Sequence, residues 1–353
     1  MIKNMLFSRA YPSYMIFFVT AKCNMKCQHC FYWQEINSLN PELDLGEIGK
    51  ISHSLPNLFF LRITGGEPFL RGDLEEIVGC FYRNSSVRRV GISTNGSLNE
   101  RTVKFANDIA GRFPGLQIEI GISIDHLYEK HDAIRCSPGA FKNAMGTYDN
   151  LLAVKKKYPN LTLGFLVTLM KDNQDSLEDI FKYLQEKKPD GIGLNIIRGK
   201  PKDAAQIEVD IGKYDKFRHL LNQYNFASPS KRSFMQRLRI AKTILSQDAI
   251  ISMVKNNRAQ LECLAGERIA VLYPDGNVCA CELLGDRIGN IRDYGYDFKK
   301  LWKAESRKKI TQNIRGNKCF CTHECFITAD LIFSLKGMLK VFFKTLFNRH
   351  KKN

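Results

Sequence analysis

Residues 14–30 read YMIFFVTAKCNMKCQHC. The first six are a strand-sized apolar run, and three cysteines follow at Cys23, Cys27 and Cys30, with three and then two residues between them. A structural zinc site requires four ligands in closed tetrahedral geometry, and His29 is a poor fourth ligand because it is adjacent to Cys30. A 4Fe–4S cluster can be held by three cysteines, which leaves one iron open for a substrate or cofactor. Zinc and ordinary packing are the less favoured alternatives for this loop.

Apolar runs alternate with amphipathic segments from the start of the chain to about residue 200. Six runs are predicted to be strands: 14–20, 58–64, 87–94, 116–124, 161–169 and 191–197. Helices are predicted between them, at about 44–54, 73–83, 99–111, 139–157 and 174–187. Strands that alternate with helices predict an α/β fold with a parallel sheet and right-handed connections.

Short polar motifs follow five of the six predicted strands. The cysteine loop follows the first strand, TGGEP (64–68) the second, TNG (94–96) the third, SIDH (123–126) the fourth and RGK (198–200) the sixth. Functional groups in parallel sheets gather at the carboxyl ends of the strands. All five motifs are therefore expected at one rim of the sheet.

Two of these motifs resemble a known enzyme family. CNMKCQHC (23–30) resembles the CxxxCxxC signature of radical S-adenosylmethionine enzymes, and Gly65, Gly66, Glu67 and Pro68 resemble that family's GGEP segment, which binds the methionine ammonium. The resemblance implies that the open iron chelates the amino and carboxylate groups of S-adenosylmethionine. It further implies that an electron from the cluster cleaves the sulfonium, and that the resulting 5′-deoxyadenosyl radical abstracts a substrate hydrogen.

Other positions match the same family with less specific motifs. The resemblance implies these further cofactor-binding residues: Ser93, Thr94 and Asn95 near the methionine moiety, Ser123 and Asp125 near the ribose, Arg135 at the carboxylate, and Arg198 with Gly199 at the adenine. Capping or loop hydrogen bonding is the alternative for each. The resemblance covers roughly residues 14–200 and implies a partial (β/α)6 TIM-like barrel.

A second group of cysteines follows residue 260. Its members are Cys263, Cys279, Cys281, Cys319, Cys321 and Cys325. The stretch 263–281, with a hairpin turn at YPDGNV (273–278), and the stretch KCFCTHEC (318–325) resemble the SPASM and twitch extensions of radical enzymes. Six cysteines are too few for the two clusters of the full SPASM pattern, so one auxiliary 4Fe–4S cluster is expected. A zinc ribbon is the alternative.

The choice of ligands for the auxiliary cluster follows from spacing. Cys263 and Cys281 flank the hairpin, and Cys321 and Cys325 are one helical turn apart if that piece is helical. These four are the expected ligands, with Cys279 and Cys319 as substitutes. Four regions are expected from these features: a barrel at 10–225, a helical connector at 226–259, an auxiliary-cluster domain at 260–327, and a basic amphipathic helix and tail at 328–353.

The charge of the chain is concentrated near its end. The formal net charge is +17, and residues 299–353 carry 14 Lys and Arg against three acids. Lys336, Lys340 and Lys344 recur every four residues within an otherwise apolar helix, which is typical of helices that lie on an anionic membrane surface. A terminal helix packed on the barrel is the alternative. Nucleic acid is not favoured, because aromatic residues do not cluster between the basic ones.

The start of the chain has no clear signal peptide, and no stretch of about 18 residues is free of charge. Thiols used for metal in a reducing compartment predict a cytoplasmic protein, or one peripheral to the inner face of the membrane. The expected function is that of a radical enzyme with a flavodoxin- or ferredoxin-like reductant and a peptide, sugar or lipid-linked substrate. Its alternatives are a non-catalytic iron–sulfur or zinc protein that binds nucleic acid or membrane through the tail, and an activase that places a glycyl radical on a partner protein.

Overall fold

The computed structural model describes residues 10–226, 233–317 and 319–347. Its first half contains six strands: β1 (Tyr14–Phe18), β2 (Phe60–Thr64), β3 (Arg89–Thr94), β4 (Gln117–Ser123), β5 (Leu161–Leu169) and β6 (Gly191–Ile196). Six helices lie between them: α1 (Leu45–His53), α2 (Leu74–Asn84), α3 (Asn99–Arg112), α4 (Tyr128–Arg135), α5 (Ala140–Lys157) and α6 (Leu177–Glu186). The six strands are parallel and pair in chain order, which confirms the predicted partial (β/α)6 barrel.

The two faces of the sheet are packed differently. In β5, buried residues alternate strictly with half-buried ones, because successive strand side chains point to opposite faces. The buried set packs on the helices: Phe165 lies 4.4 Å, ring centroid to ring centroid, from Tyr148 of α5. The half-buried set, which includes Gly164 and Leu166, faces the inside of the curved sheet. The core therefore lies mainly between the sheet and its helices.

The second half of the chain extends the same sheet. Strand β7 (Ile269–Leu272) pairs in parallel with β1, and the hairpin strands β8 (Asn277–Cys279) and β9 (Arg287–Asn290) add antiparallel pairs. The described residues thus form one nine-stranded sheet with the order β6-β5-β4-β3-β2-β1-β7-β8-β9. The expected hairpin turn at 273–278 is where β7 turns into β8. The bounds of the four regions expected from the sequence stay a prediction.

Helices complete the second half. They are α7 (Ile211–Asn225), α8 (Phe234–Asn256), α9 (Phe298–Trp302), α10 (Glu305–Gly316), α11 (Glu324–Phe333) and α12 (Leu335–Phe347). The single amphipathic helix expected within 328–353 is two helices, because Ser334 between them is extended (φ −108°, ψ 143°). Its hydroxyl donates to the carbonyl of Asp330 and accepts from the backbone N–H of Gly337, which fixes the turn.

Candidate active site

The loop with Cys23, Cys27 and Cys30 follows β1 and lies at the carboxyl ends of the parallel strands. Asn37 fixes its start: the Asn37 side chain accepts from the N–H of Cys23 (3.0 Å) and donates to its carbonyl (3.1 Å). Lys202, after β6, donates its N–H to the carbonyl of Cys30 (3.1 Å). Asn37, in the connection after β1, and Lys202, in the segment after β6, thus hold the two ends of the cysteine loop.

The three thiols of this loop affect one another's ionisation. Burial, assisted by the neighbouring thiols, raises the pKa of Cys23 to about 11 and that of Cys30 to about 12, and burial also raises the pKa of Cys27. Thiolates in this setting require a positively charged partner, and metal binding releases their protons. Three convergent thiols without a fourth fit a 4Fe–4S cluster with one open iron.

Asp125, after β4, is the hub of a buried ionic network. Its carboxylate accepts from Arg135 (2.5 Å) and from the N–H of Thr168 (2.9 Å), and it lies 3.5 Å from the Nε2 atom of His29. Burial alone would raise the pKa of Asp125, but the charge of Arg135 holds it below its ordinary value. The second guanidinium nitrogen of Arg135 lies 3.8 Å from Cys27 Sγ. Through this contact with Cys27, the network supports the cysteine loop.

The glycines of the GGEP segment allow a close approach of two loops. A Cβ on Gly65 would lie 2.3 Å from the carbonyl oxygen of Thr20, and one on Gly66 would lie 2.1 Å from that of Lys22. The N–H groups of Gly66 and Glu67 donate to those same two carbonyls (2.9 and 2.8 Å). The glycines are therefore required for the loop after β2 to pack on the cysteine loop.

The carboxylate of Glu67 is fully engaged inside the protein. It accepts from the hydroxyl of Thr94 (2.7 Å), the N–H of Asn95 (2.8 Å) and the N–H of Phe69 (3.2 Å). Burial raises its pKa despite these donors. Glu67 therefore holds the ends of β2 and β3 together.

The remaining predicted residues lie at the same rim. Thr94 and Asn95 are buried, whereas Ser93 and Ser123 are half-buried at the ends of β3 and β4. The Asn95 side chain donates to the side-chain oxygen of Asn24 (2.9 Å), which belongs to the cysteine loop. The sequence did not predict this role of Asn24. A single Asn between two cysteines does not indicate a hydrogen bond to the end of another strand. Pro68 begins a short 3-10 turn.

A cavity of about 390 Å³ opens beside the cysteine loop. Its walls come from the segment after Cys30, from Gly199 and Lys200 after β6, and from the β7–β8 hairpin. Four acids and two bases line it: Glu35, Glu42, Asp275, Glu282, Lys200 and Arg287. Its size is typical of small-molecule sites, and its position makes it the candidate substrate cavity.

Three charged side chains, the trio Arg198, Glu282 and His323, connect the segment after β6 to the segment after β8. The guanidinium of Arg198 donates to Glu282 (3.1 Å), and Nε2 of His323 lies 2.6 Å from the same carboxylate. Burial opposes ionisation, yet the charges of His323 and Arg198 hold the pKa of Glu282 at about 2. Arg198 also lies over the ring of Phe31, 5.5 Å from its centroid. The side chain predicted at the adenine is therefore paired with the second half of the chain.

Four thiols line a second, smaller cavity. It measures about 110 Å³ and is lined by Cys263, Cys281, Cys319 and Cys321, and the charges of these thiols influence one another. Burial is the first cause that raises the pKa of each of the four. These residues come from both stretches with the predicted twitch-like pattern. Cys319, expected only as a substitute, lies in this group.

Cys325 and Cys279 lie elsewhere. Cys325, the second residue of α11, interacts with His323, Arg62 and Tyr14, which outweigh burial and lower its pKa to about 6. Cys279 lines the larger cavity. Spacing predicted that Cys325 lies one turn from Cys321, but the helix begins only at residue 324, so the two thiols are not on one helix face.

Within the described ranges, no three Cys, His, Asp or Glu side chains are arranged to hold a single metal ion. A mononuclear zinc site brings all of its ligands onto one ion. In a 4Fe–4S cluster each thiolate binds a different iron, so the thiols surround a larger object. For both cysteine groups, the iron–sulfur cluster and its zinc alternative stay predictions.

A partial parallel β/α barrel with a three-cysteine loop and a glycine-rich loop at its carboxyl rim defines an S-adenosylmethionine-dependent iron–sulfur enzyme of the radical type. Residues 17–184 match the family model of the Radical SAM superfamily. The chain therefore contains a Radical SAM domain over these residues, just under half of its length. The cofactors of the family are a 4Fe–4S cluster and S-adenosylmethionine.

Sequence relatives have named activities. The chain is 30% identical over 189 residues to a Fe-coproporphyrin III synthase of Methanosarcina barkeri, a match that covers 52% of this chain and 43% of that protein. It is 26% identical over 317 residues to an AdoMet-dependent heme synthase of Oleidesulfovibrio alaskensis, with 85% and 77% covered. The chain thus spans less than half of the first of these relatives.

A solved structure shares the fold. The SuiB protein of Streptococcus suis bound to S-adenosylmethionine has a TM-score of 0.62 at 13% identity, and the match covers 92% of this chain and 75% of that one. SuiB has also been solved bound to its precursor peptide SuiA. At this identity the likeness supports the fold alone, and it extends beyond the barrel into the second half of the chain.

Proposed function

We propose that this protein is a radical S-adenosylmethionine enzyme that abstracts hydrogen from an unactivated carbon and carries one auxiliary 4Fe–4S cluster. The observation that carries the proposal is the convergence of Cys23, Cys27 and Cys30 at the sheet rim, with the Gly65–Gly66 backbone packed against their loop. Three thiols in that place leave one iron for the cofactor. The non-catalytic alternative gives the packed glycine loop no role.

The proposed roles follow from the contacts. Cys23, Cys27 and Cys30 would hold the cluster, and the backbone carbonyls at 65–68 would accept from the methionine ammonium. The half-buried Ser93 and Ser123 would face the cofactor from β3 and β4. When bound, the cluster and S-adenosylmethionine supply the 5′-deoxyadenosyl radical that abstracts the substrate hydrogen.

In this proposal three of the residues that match the family's cofactor-binding motifs have positioning roles: Asp125, Arg135 and Glu67. Asp125 and Arg135 neutralise each other beneath Cys27, and Glu67 ties together the strand ends that carry the rim. These groups would hold the shape of the site for the cofactor, since the carboxylates of Asp125 and Glu67 already accept from protein donors. A site of this kind requires support to keep its geometry within a fraction of an ångström.

We further propose that Cys263, Cys281, Cys319 and Cys321 hold the auxiliary cluster. They share one cavity, whereas Cys325 lies among His323, Arg62 and Tyr14. The auxiliary cluster would accept an electron from the substrate in an oxidation or bind the substrate directly. The reductant of the first cluster would be a flavodoxin or ferredoxin.

A peptide is the proposed substrate class. SuiB, which shares the fold over 92% of this chain, binds a precursor peptide. The candidate substrate cavity lies between the cysteine loop and the second half of the chain. Its acids and bases would pair with peptide charges and termini.

A tetrapyrrole is the second candidate substrate, because a heme synthase is 26% identical over most of this chain. The two candidates are separated by one assay. The reconstituted protein is given either a peptide library or Fe-coproporphyrin III, and formation of 5′-deoxyadenosine above the substrate-free rate identifies the substrate class. Sugar and lipid-linked compounds complete the panel.

The cofactor proposal is tested by anaerobic reconstitution, reduction with dithionite and measurement of 5′-deoxyadenosine. We expect the wild-type chain to form it and Cys27→Ala to form none, whereas Cys80→Ala, on α2, leaves the yield unchanged. A wild-type protein with an intact cluster that does not cleave S-adenosylmethionine would overturn the proposal.

Iron analysis tests the auxiliary cluster. The wild type should hold about eight iron and eight sulfide per chain. Cys319→Ala and Cys321→Ala should each lower the iron content toward four, and Cys325→Ala should not. Equal loss in Cys325→Ala, or about four iron with one zinc in the wild type, would contradict the ligand set.

A further inference from the structure

Helix α12 places its small side chains against the protein and its large apolar side chains in solvent. Its buried residues are Gly337, Val341 and Thr345. A Cβ on Gly337 would lie 2.4 Å from the carbonyl oxygen of Leu331, so α12 packs closely on α11. The exposed apolar residues of α12 are Leu335, Leu339, Phe342, Phe343, Leu346 and Phe347.

The start of α8 extends this surface. Phe234 and Met235 are exposed there, and the ring of Phe234 packs edge-on against Phe342, with 6.4 Å between centroids. Phe342 contacts Phe343, and Phe343 stacks on Phe347. We call these eight side chains the outer face. Exposed apolar residues scattered singly are normal, but a contiguous group of this kind indicates an interaction surface.

Positive charge borders the outer face. Lys336, Lys340 and Lys344 follow one another along one edge of α12, which contains no acidic residue. On the other side, the guanidinium of Arg237 lies 5.8 Å from the ring centroid of Phe234. An apolar strip with cations along both edges matches the boundary between the acyl chains and the anionic headgroups of a bilayer.

We propose that the outer face binds an anionic membrane surface, with α12 lying in the plane of the interface. A 13-residue helix is about 20 Å long, which is too short to cross a hydrocarbon core of about 30 Å. No helix among the described residues is long and apolar enough to span a membrane. The aromatic rings would enter the headgroup region, and the lysines would reach anionic lipid phosphates.

A second copy of the chain is the competing occupant. An isologous dimer through this surface would place the same patch on both partners, and the lysine rows on the two copies would then lie close to like charges. An anionic bilayer complements both the apolar and the charged part of the surface. The charge pattern therefore favours the membrane.

The test uses the reconstituted full chain and flotation with vesicles of phosphatidylcholine alone or with about 30% phosphatidylglycerol. We expect binding only to the anionic vesicles, and weaker binding as salt increases. Lys336→Gln/Lys340→Gln/Lys344→Gln should weaken binding roughly a hundredfold. The matched control replaces three exposed lysines elsewhere: Lys104→Gln/Lys216→Gln/Lys308→Gln.

The apolar part is tested with Phe343→Glu/Phe347→Glu, which should abolish flotation, against Leu39→Glu/Ile207→Glu, which places the same charges on exposed apolar positions elsewhere. All variants should form 5′-deoxyadenosine at the wild-type rate without vesicles, so failure of the membrane proposal is separate from failure of the chemistry. Equal binding to neutral vesicles, no binding at all, or a dimer by light scattering that Phe343→Glu/Phe347→Glu converts to monomer would overturn the proposal.

Discussion

At the scale of single residues, Glu67 is a motif residue whose carboxylate is bonded inside the protein. Three donors surround its carboxylate. We expect Glu67→Gln to lower the free energy of unfolding by about 1–3 kcal/mol, because the new amide NH₂ leaves a buried donor without an acceptor. Urea unfolding measures this loss, and the exposed Glu76→Gln on α2 should change little.

The same variant distinguishes two roles for Glu67. If the carboxylate binds the methionine ammonium directly, Glu67→Gln should weaken S-adenosylmethionine binding while leaving the unfolding free energy intact. Loss of stability with near-normal cofactor affinity in the folded fraction supports the strand-tying role.

Arg135 and Asp125 form the second residue-scale prediction. Both are buried and they pair at 2.5 Å, with the Asp125 carboxylate also accepting from Thr168. We expect Arg135→Gln to cost about 3–5 kcal/mol of unfolding free energy, because it leaves a buried carboxylate without its counter-charge. Urea unfolding of the cluster-free chain measures the loss.

A double-mutant cycle isolates this pair. Arg135→Gln/Asp125→Asn should recover part of the stability lost in Arg135→Gln, since the uncompensated charge is then removed. Strictly additive losses would show that the two side chains act independently. Arg88→Gln, at an exposed position, is a control for removal of an arginine.

At the scale of structural elements, the loops after β1 and β2 depend on each other. Gly66→Ala would place a methyl group 2.1 Å from the carbonyl oxygen of Lys22, and backbone must move to relieve the contact. We expect Gly66→Ala to reduce iron bound at the first cluster severalfold, because the cysteine loop shifts. Gly72→Ala, on the same connection but with no atom within 4 Å of the new methyl, should bind iron normally, and equal loss in both would contradict this account.

The elements also show what a sequence can predict. The six parallel strands and the rim position of the polar motifs followed from periodicity, since buried strands give long apolar runs. Helix α4 (Tyr128–Arg135) was missed, because its eight residues include only one large aliphatic side chain, Ile134. The break at Ser334 was missed, although Ser334 accepts from the N–H of Gly337 three residues later, which is the local pattern of a helix N-cap.

The sequence predicts which residues belong to the site better than it predicts what each of them contacts. Spacing predicts Cys23, Cys27 and Cys30 as one ligand set, because the three thiols lie within a single eight-residue stretch. The bonds of Glu67 to Thr94 and Asn95 and of Asp125 to Thr168 could not be read from sequence, since they join loops 27 to 43 residues apart. The same limit applies to Cys319, whose neighbours come from both stretches of the second cysteine group.

At the scale of the whole molecule, the two halves of the chain are joined by a shared sheet and by charge. Strand β7 pairs with β1, and the trio Arg198, Glu282 and His323 links the end of β6 to the hairpin and to α11. The candidate substrate cavity lies at this junction. Its shape therefore depends on both halves, which is consistent with a likeness to SuiB that extends over nearly the whole chain.

Glu47 provides a second connection between the halves. Its carboxylate on α1 forms a bidentate pair with Arg292 (2.7 and 3.1 Å), accepts from the hydroxyl of Tyr296 (2.9 Å), and also accepts from the N–H of Asp44 to cap its own helix. The hydrogen bond from Arg292 is the first cause that lowers the pKa of Glu47 from 4.5 to about 2. The ionised form is therefore the one that holds the halves together.

The sign of the pH dependence follows from that lowered pKa. The stabilisation by Glu47 is fully present above pH 4.5, and it is lost as the pH falls from 4.5 toward 2, because the folded protein must then give up an ionised carboxylate that the unfolded chain protonates first. We expect Glu47→Gln to lower the unfolding free energy by about 1–3 kcal/mol at pH 7, and the difference from wild type to shrink at pH 3. Thermal unfolding at pH 7, 5 and 3 measures it. Glu100→Gln, an exposed acid in the first turn of α3, should show no such pH-dependent difference, and a gap for Glu47→Gln that stays constant down to pH 3 would show that the ion pair does not join the two halves.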